Sequence, residues 1–78
     1  MKLRPDRDIG LNIQKARMAK KLTQDETVAR LQVMGIDMSR STYAKIETNR
    51  LNIRVSELLA LGQIFGVDMN FFFESLTL

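Results

Sequence analysis

Residues 23–47, TQDETVARLQVMGIDMSRSTYAKIE, constrain this chain more than any other stretch. Their pattern predicts two short helices joined by a turn, the first over about residues 24–33. Thr23 has the hydroxyl of an N-cap, and Glu26 three residues on completes a capping box. Val28 and Leu31 then share one helical face. The connection Met34-Gly35-Ile36-Asp37-Met38 contains a glycine able to take positive φ. Ser39 caps the second helix, with Asp37 just before it. Met38, Tyr43 and Ile46 turn inward from that helix, which leaves Arg40, Ser41, Ala44 and Lys45 on its outer face.

Around this pair the chain reads as three further helices. Residues 1–8 are expected to form a flexible basic arm, because Pro5 breaks a helix and Lys2, Arg4 and Arg7 are cationic. Asp8 then caps a first helix of about residues 9–20. Its apolar stripe is Ile9, Ile13 and Ala16, with Met18 and Leu22 closing over the end. Gly10 weakens the first turn by up to about 1 kcal/mol relative to Ala. Lys20 and Lys21 lie at the helix C-terminus, where cations complement the dipole. That complement explains the pair at least as well as a phosphate contact does.

Residues 48–54 read as a loop, with Asn49 as a left-handed helix stop. A fourth helix is expected over about residues 55–65, started with help from Ser56 or Asn52 and ended by Gly66. Leu58, Leu59, Leu61 and Phe65 face inward from it, and Gly62 lets a neighbouring helix come close. Asp68 caps a short fifth helix from residue 69 to about residue 75. Its run Phe71-Phe72-Phe73 cannot all enter one core, since successive helical residues point about 100° apart. Five short helices without a convincing strand make an all-α bundle, a single domain over residues 9–78.

Composition narrows the function classes. A chain of 78 residues holds one domain at most and buries about 60–65% of its unfolded surface. It has no Cys, which rules out a disulfide framework or thiolate metal site, and no His, the commonest general base and metal ligand. The acids are scattered, mostly at helix starts where capping explains them, and no phosphate-cradling glycine loop occurs. No enzyme, cofactor or metal is expected. No run approaches the 18 or so apolar residues of a membrane span, and the N-terminus lacks the apolar core of a signal peptide. A cytoplasmic protein is the expectation.

Charge is uneven along the chain. Residues 1–24 hold seven Lys/Arg against two acids, residues 25–54 five against four, and residues 55–78 none against three. A basic body with an acidic end fits one polyanion-facing side, although an uneven solvated surface explains charge alone equally well. Two helices at a steep angle, the second capped and presenting polar side chains from its first turns, are what a major-groove reader needs.

The ordered pieces resemble the Cro/lambda-repressor-type helix-turn-helix family, also called the xenobiotic-response-element family. The resemblance runs from about residue 9 to residue 73. It is carried by Leu22-Thr23-Gln24, Met38-Ser39-Arg40-Ser41-Thr42, Ile46-Glu47, Leu58-Leu59-Ala60-Leu61, Phe65-Gly66-Val67 and Phe72-Phe73. Thr27 stands where the family usually has Leu, and Val28 where it usually has Ala. The turn over residues 33–37 is longer than the family's common turn, and Asn49-Arg50 replaces the more usual Asn-Gly.

The resemblance implies a five-helix lambda-repressor-like bundle. Its function would be that of a small transcriptional regulator, a repressor of phage, mobile-element or antitoxin type. It would insert a helix at residues 39–48 into the major groove of double-stranded DNA, as a homodimer. Arg40, Ser41 and Lys45 correspond to base readers, Arg40 having the fork for guanine O6 and N7. Gln24 corresponds to a phosphate contact beside free backbone N–H groups. Thr42, Asn49 and Arg50 correspond to further backbone contacts, Thr42 also being able to pack partly inward. Arg17 and Glu47 match a pair that bridges the first and third helices in many family members, and a structural use outweighs DNA contact for them. Phe71, Leu76 and Leu78 are expected at the dimer interface, with Phe72 and Phe73 packed inward. The competing reading keeps the fold but gives the third helix and residues 71–73 to a partner protein. The basic first two-thirds of the chain argues against it.

Overall fold

Five helices make up residues 5–74, the part of the chain that this computed structural model describes, with side chains described from Ile9 onward. They are α1 (Pro5–Ala19), α2 (Gln24–Val33), α3 (Arg40–Glu47), α4 (Val55–Phe65) and α5 (Met69–Phe72). Residues 1–4 of the expected arm, and Leu76 and Leu78 of the expected interface, lie outside the described residues. α2 and α4 have the expected bounds. α1 begins at Pro5 rather than residue 9, because a first-turn proline lacks an N–H that would go unpaired there anyway. Asp8 is therefore within α1 and not its N-cap. α3 is shorter than residues 39–48, with Ser39 and Thr48 as its caps, and α5 ends at Phe72 rather than near residue 75.

The helix ends explain why the chain folds in short pieces. At the start of α2, Thr23 Oγ1 accepts from the Glu26 N–H at 3.0 Å, and Glu26 Oε1 accepts from the Thr23 N–H at 2.8 Å. The Thr23 backbone donor holds the Glu26 carboxyl below the usual carboxylate range. At α4 neither Ser56 nor Asn52 is the cap. Arg54 holds that position without a side-chain bond, and Glu57 Oε1 accepts its N–H at 2.8 Å.

Four helices stop the same way. Lys21, Gly35, Asn49 and Gly66 all take positive φ just past α1, α2, α3 and α4. In each case the next residue's N–H reaches five residues back, as from Leu22 to Arg17, Ile36 to Leu31, Arg50 to Lys45 and Val67 to Gly62. This pairing satisfies carbonyls that a helix end leaves open. Leu22 is buried and Ile36 and Val67 pack against the core, so the stops of α1, α2 and α4 also aim the chain inward, whereas that of α3 leads to the exposed Arg50.

The core lies between α1, α2, α3 and α4, with Phe72 of α5 closing one side. Three apolar residues expected in it are exposed: Met18, Leu59 and Phe73. Met18 is about 200° around α1 from Ala16, and Leu59 about 100° around α4 from Leu58. Phe72 enters the core and turns Phe73 outward, so the pairing of Phe72 with Phe73 as inward residues is corrected. Phe71 is half-buried and meets Phe72 edge-on, with ring centroids 6.1 Å apart. Thr27, in the usual Leu place, is fully buried, and its hydroxyl donates to the Thr23 carbonyl at 2.9 Å.

Gly10 matters far more than its propensity cost. A Cβ there would collide with Asn49 Oδ1 and lie 2.7 Å from the Ile46 carbonyl and 2.8 Å from the Glu47 carbonyl. The Gly10 N–H donates to that same Asn49 Oδ1 at 3.1 Å. α1 therefore lies directly against the last turn of α3. Asn12, also buried, donates from Nδ2 to the Phe72 carbonyl at 2.9 Å and ties α1 to the end of α5. Gly62 serves a similar close approach, its missing Cβ facing the Val67 carbonyl at 3.0 Å and Phe72 at 3.7 Å.

Gly10→Ala tests the seating of α1. Helix propensity alone would raise stability by up to about 1 kcal/mol. Collision with two backbone carbonyls reverses the sign, and a net loss of about 1–3 kcal/mol is expected. Urea unfolding should show a lower midpoint at unchanged slope. A variant as stable as the parent would place α1 elsewhere.

Candidate nucleic-acid interface

α3 has eight residues, too few to be stable alone, so its surroundings decide where it points. Its N-terminus is capped locally: Ser39 Oγ accepts from the Thr42 N–H and donates to Thr42 Oγ1, each at 3.1 Å. Tyr43, Ile46 and Glu47 form the buried face at helical spacing. Arg40, Ser41 and Lys45 are exposed, and Ala44 and Thr42 are half-buried.

Beneath α3 a single carboxylate collects three helices. Arg17 Nε donates to Glu47 Oε2 at 2.7 Å, and Arg17 Nη2 donates to Oε1 at 3.2 Å. Gln24 Nε2 donates to the same Oε1 at 3.0 Å. Arg17 Nη1 donates to the Leu22 carbonyl at 2.9 Å, which also binds the guanidinium to the end of its own helix. The Glu47 side chain is 1% exposed and that of Arg17 12%. The bond to Glu47 raises the Arg17 pKa against the opposing effect of burial, so the cation persists. Tyr43 stands one turn before Glu47. Its hydroxyl is buried without a hydrogen-bond partner among the described residues. Burial pushes its pKa well above the ordinary value near 10, and the Glu47 carboxylate acts in the same direction.

On the outer side the expected residues separate. Ser41 and Lys45 line one shallow groove with Ala44, Thr48 and Arg50. The side chains of Ser41, Lys45 and Arg50 form no hydrogen bond or ion pair among the described residues. Arg40 stands on the other flank of α3, its Nε 3.6 Å from Asp25 Oδ1 on α2, with both side chains well exposed at 63% and 77%. Thr42 is engaged with Ser39. Gln24 and Asn49 face into the protein through the bonds to Glu47 and Gly10. Sequence reasoning missed Thr48, which follows Ala44 by one turn and whose hydroxyl donates to the Ala44 and Lys45 carbonyls. Its spacing from Ser41 and Ala44 was the available signal.

No group of three or more His, Cys, Asp or Glu residues able to hold a metal occurs among the described residues. No helix among them is long and apolar enough to cross a membrane. What α3 and the residues just after it offer is polar donors and two cations, Lys45 and Arg50, that have no partner among the described residues, on a rigidly seated helix.

Two substitutions test the inner face. Glu47→Ala strands Arg17 and should cost stability toward the lower end of about 3–5 kcal/mol, because Arg17 keeps part of its side chain in water. A thermal melt matching the parent would refute the tie. Tyr43→Phe should cost little at pH 7, because the hydroxyl stands beside Glu47 and Arg17 but makes no hydrogen bond of good geometry with either. The folded pKa of Tyr43 exceeds the unfolded one, so its contribution is intact below about pH 10 and drains as pH rises above that value. The Phe variant should therefore lose less stability than the parent at alkaline pH. A loss at pH 7 would mean that the hydroxyl is bonded.

The sequence matches the helix-turn-helix family over residues 13–72, from the middle of α1 through α5. No curated protein and no solved structure matches it. That span includes the α2–turn–α3 unit, the tie beneath it and the helices that support it. The chain belongs to the Cro/C1-type (xenobiotic-response-element) helix-turn-helix family of DNA-binding regulators.

Proposed function

We propose that this protein binds double-stranded DNA sequence-specifically, as a small transcriptional repressor that sets α3 in the major groove. The observation that carries the reading is the asymmetry of α3. Its inner face is tied to α1 and α2 through Glu47, while Lys45 and neighbouring Arg50 have no partner among the described residues. Arg40, Ser41 and Lys45 read base edges in this proposal. Arg50 and Thr42 contact phosphate, joined by the backbone N–H groups that the start of α2 leaves unpaired beside Gln24.

One short helix spans few base pairs, so a homodimer on two half-sites about 34 Å apart completes the proposal. The C-terminal end suits the dimer contact. It holds no Lys or Arg after Arg54, and Phe71 and Phe73 lie near Leu76 and Leu78 in sequence. DNA is then met from the opposite, basic side, in the cytoplasm.

Selection of bound sequences from a random duplex library tests the reading. A twofold-symmetric site is expected, with affinity that falls steeply as salt rises. On that site Arg40→Ala should cost about 1–3 kcal/mol and relax preference at one base pair. Recovery of no preferred sequence, or unchanged binding by Arg40→Ala, would contradict the assignment.

A further inference from the structure

We infer that Asp25 is a specificity-determining positioning residue, which holds the Arg40 guanidinium toward base edges and away from phosphate. This rests on the DNA-binding reading above.

Asp25 lies in the first turn of α2, next to the capping box, but takes no part in it. Glu26 and Thr23 complete that box between themselves. The Asp25 side chain is 77% exposed, and its carboxylate stands 3.6 Å from Arg40 Nε on the other helix of the pair. An ion pair this exposed contributes little to stability. Its cost to binding is more telling. A carboxylate beside a reading residue repels every phosphate, whatever the sequence, and so lowers affinity for all DNA alike.

The geometry supplies what offsets that cost. Arginine has five donors in a rigid fork. With Nε turned to Asp25, the two Nη groups remain to span guanine O6 and N7. A long cation without such a companion is free to swing to the nearest phosphate, a contact that carries no sequence information. Lys45 has no companion of this kind among the described residues and suits either use. Asp25 thus exchanges some total affinity for discrimination, and it orients a side chain that would otherwise lose more rotamer freedom on binding.

The experiment compares parent, Asp25→Asn, Asp25→Glu, Arg40→Ala and the Asp25→Asn/Arg40→Ala double variant. Each is titrated onto the selected site and onto a scrambled duplex of equal length, over a salt series. For Asp25→Asn, affinity for the scrambled duplex should rise, and the ratio of specific to non-specific affinity should fall about three- to fivefold. The salt dependence on scrambled duplex should steepen by roughly one counterion, as Arg40 takes up a phosphate. Asp25→Glu should keep the parent's ratio. In the Arg40→Ala background, Asp25→Asn should leave the ratio unchanged, because the effect runs through Arg40. A rise in both affinities at constant ratio would reduce Asp25 to a repelling charge and overturn the inference. So would a ratio that shifts equally with and without Arg40. A parent that prefers no sequence would overturn the DNA-reading proposal itself, and this inference with it.

Discussion

The Glu47 carboxylate is the constraint on which the structure depends. It is almost fully buried at the last turn of α3, where an unpaired charge would be prohibitive. Arg17 from α1 and Gln24 from the start of α2 satisfy its two oxygens. Three helices that are weak in isolation therefore share one electrostatic node. α3 has almost no freedom to roll about its axis without breaking that node, and its outer face is defined by the same event. A helix that reads base edges needs such restraint, since a site loosened by about an ångström loses its selectivity.

Close backbone approach reinforces the node from the other side. Gly10 lets α1 touch the Ile46 and Glu47 carbonyls, and Asn49, in its left-handed stop, reaches back to the Gly10 N–H. The residue that terminates α3 is thus also a lock on α1. Asn49 shows how one side chain can draw a polar residue out of a surface position and into the scaffold.

Local signals were the readable part of the chain. The Thr23–Glu26 box, the Ser39 and Asp68 caps and the positive-φ positions Gly35, Asn49 and Gly66 are all encoded within a few residues, and α2 and the end of α4 were bounded from them. Adjacent apolar residues misled, because periodicity cannot choose between neighbours such as Leu58 and Leu59 or Phe72 and Phe73 until the core is in place. Contacts across the fold were out of reach of spacing. Gly10 meets Asn49 from 39 residues away and Gln24 meets Glu47 from 23. The Arg17–Glu47 pair was legible through family resemblance, not through any pattern in this chain. On the outer face, sequence identified the polar residues of α3 but not that Asp25 would stand beside Arg40, since that depends on the angle between two helices.

The central claim is that the tie beneath α3 presents its outer face to DNA. Backbone and side-chain amide NMR signals, followed while the selected duplex is added, test this most directly. The account expects the large shifts at Gln24, residues 39–45 and residues 48–50, with the Arg17 Nε–H signal retaining its bonded position throughout. Shifts concentrated in α4 and α5 with α3 undisturbed would contradict it.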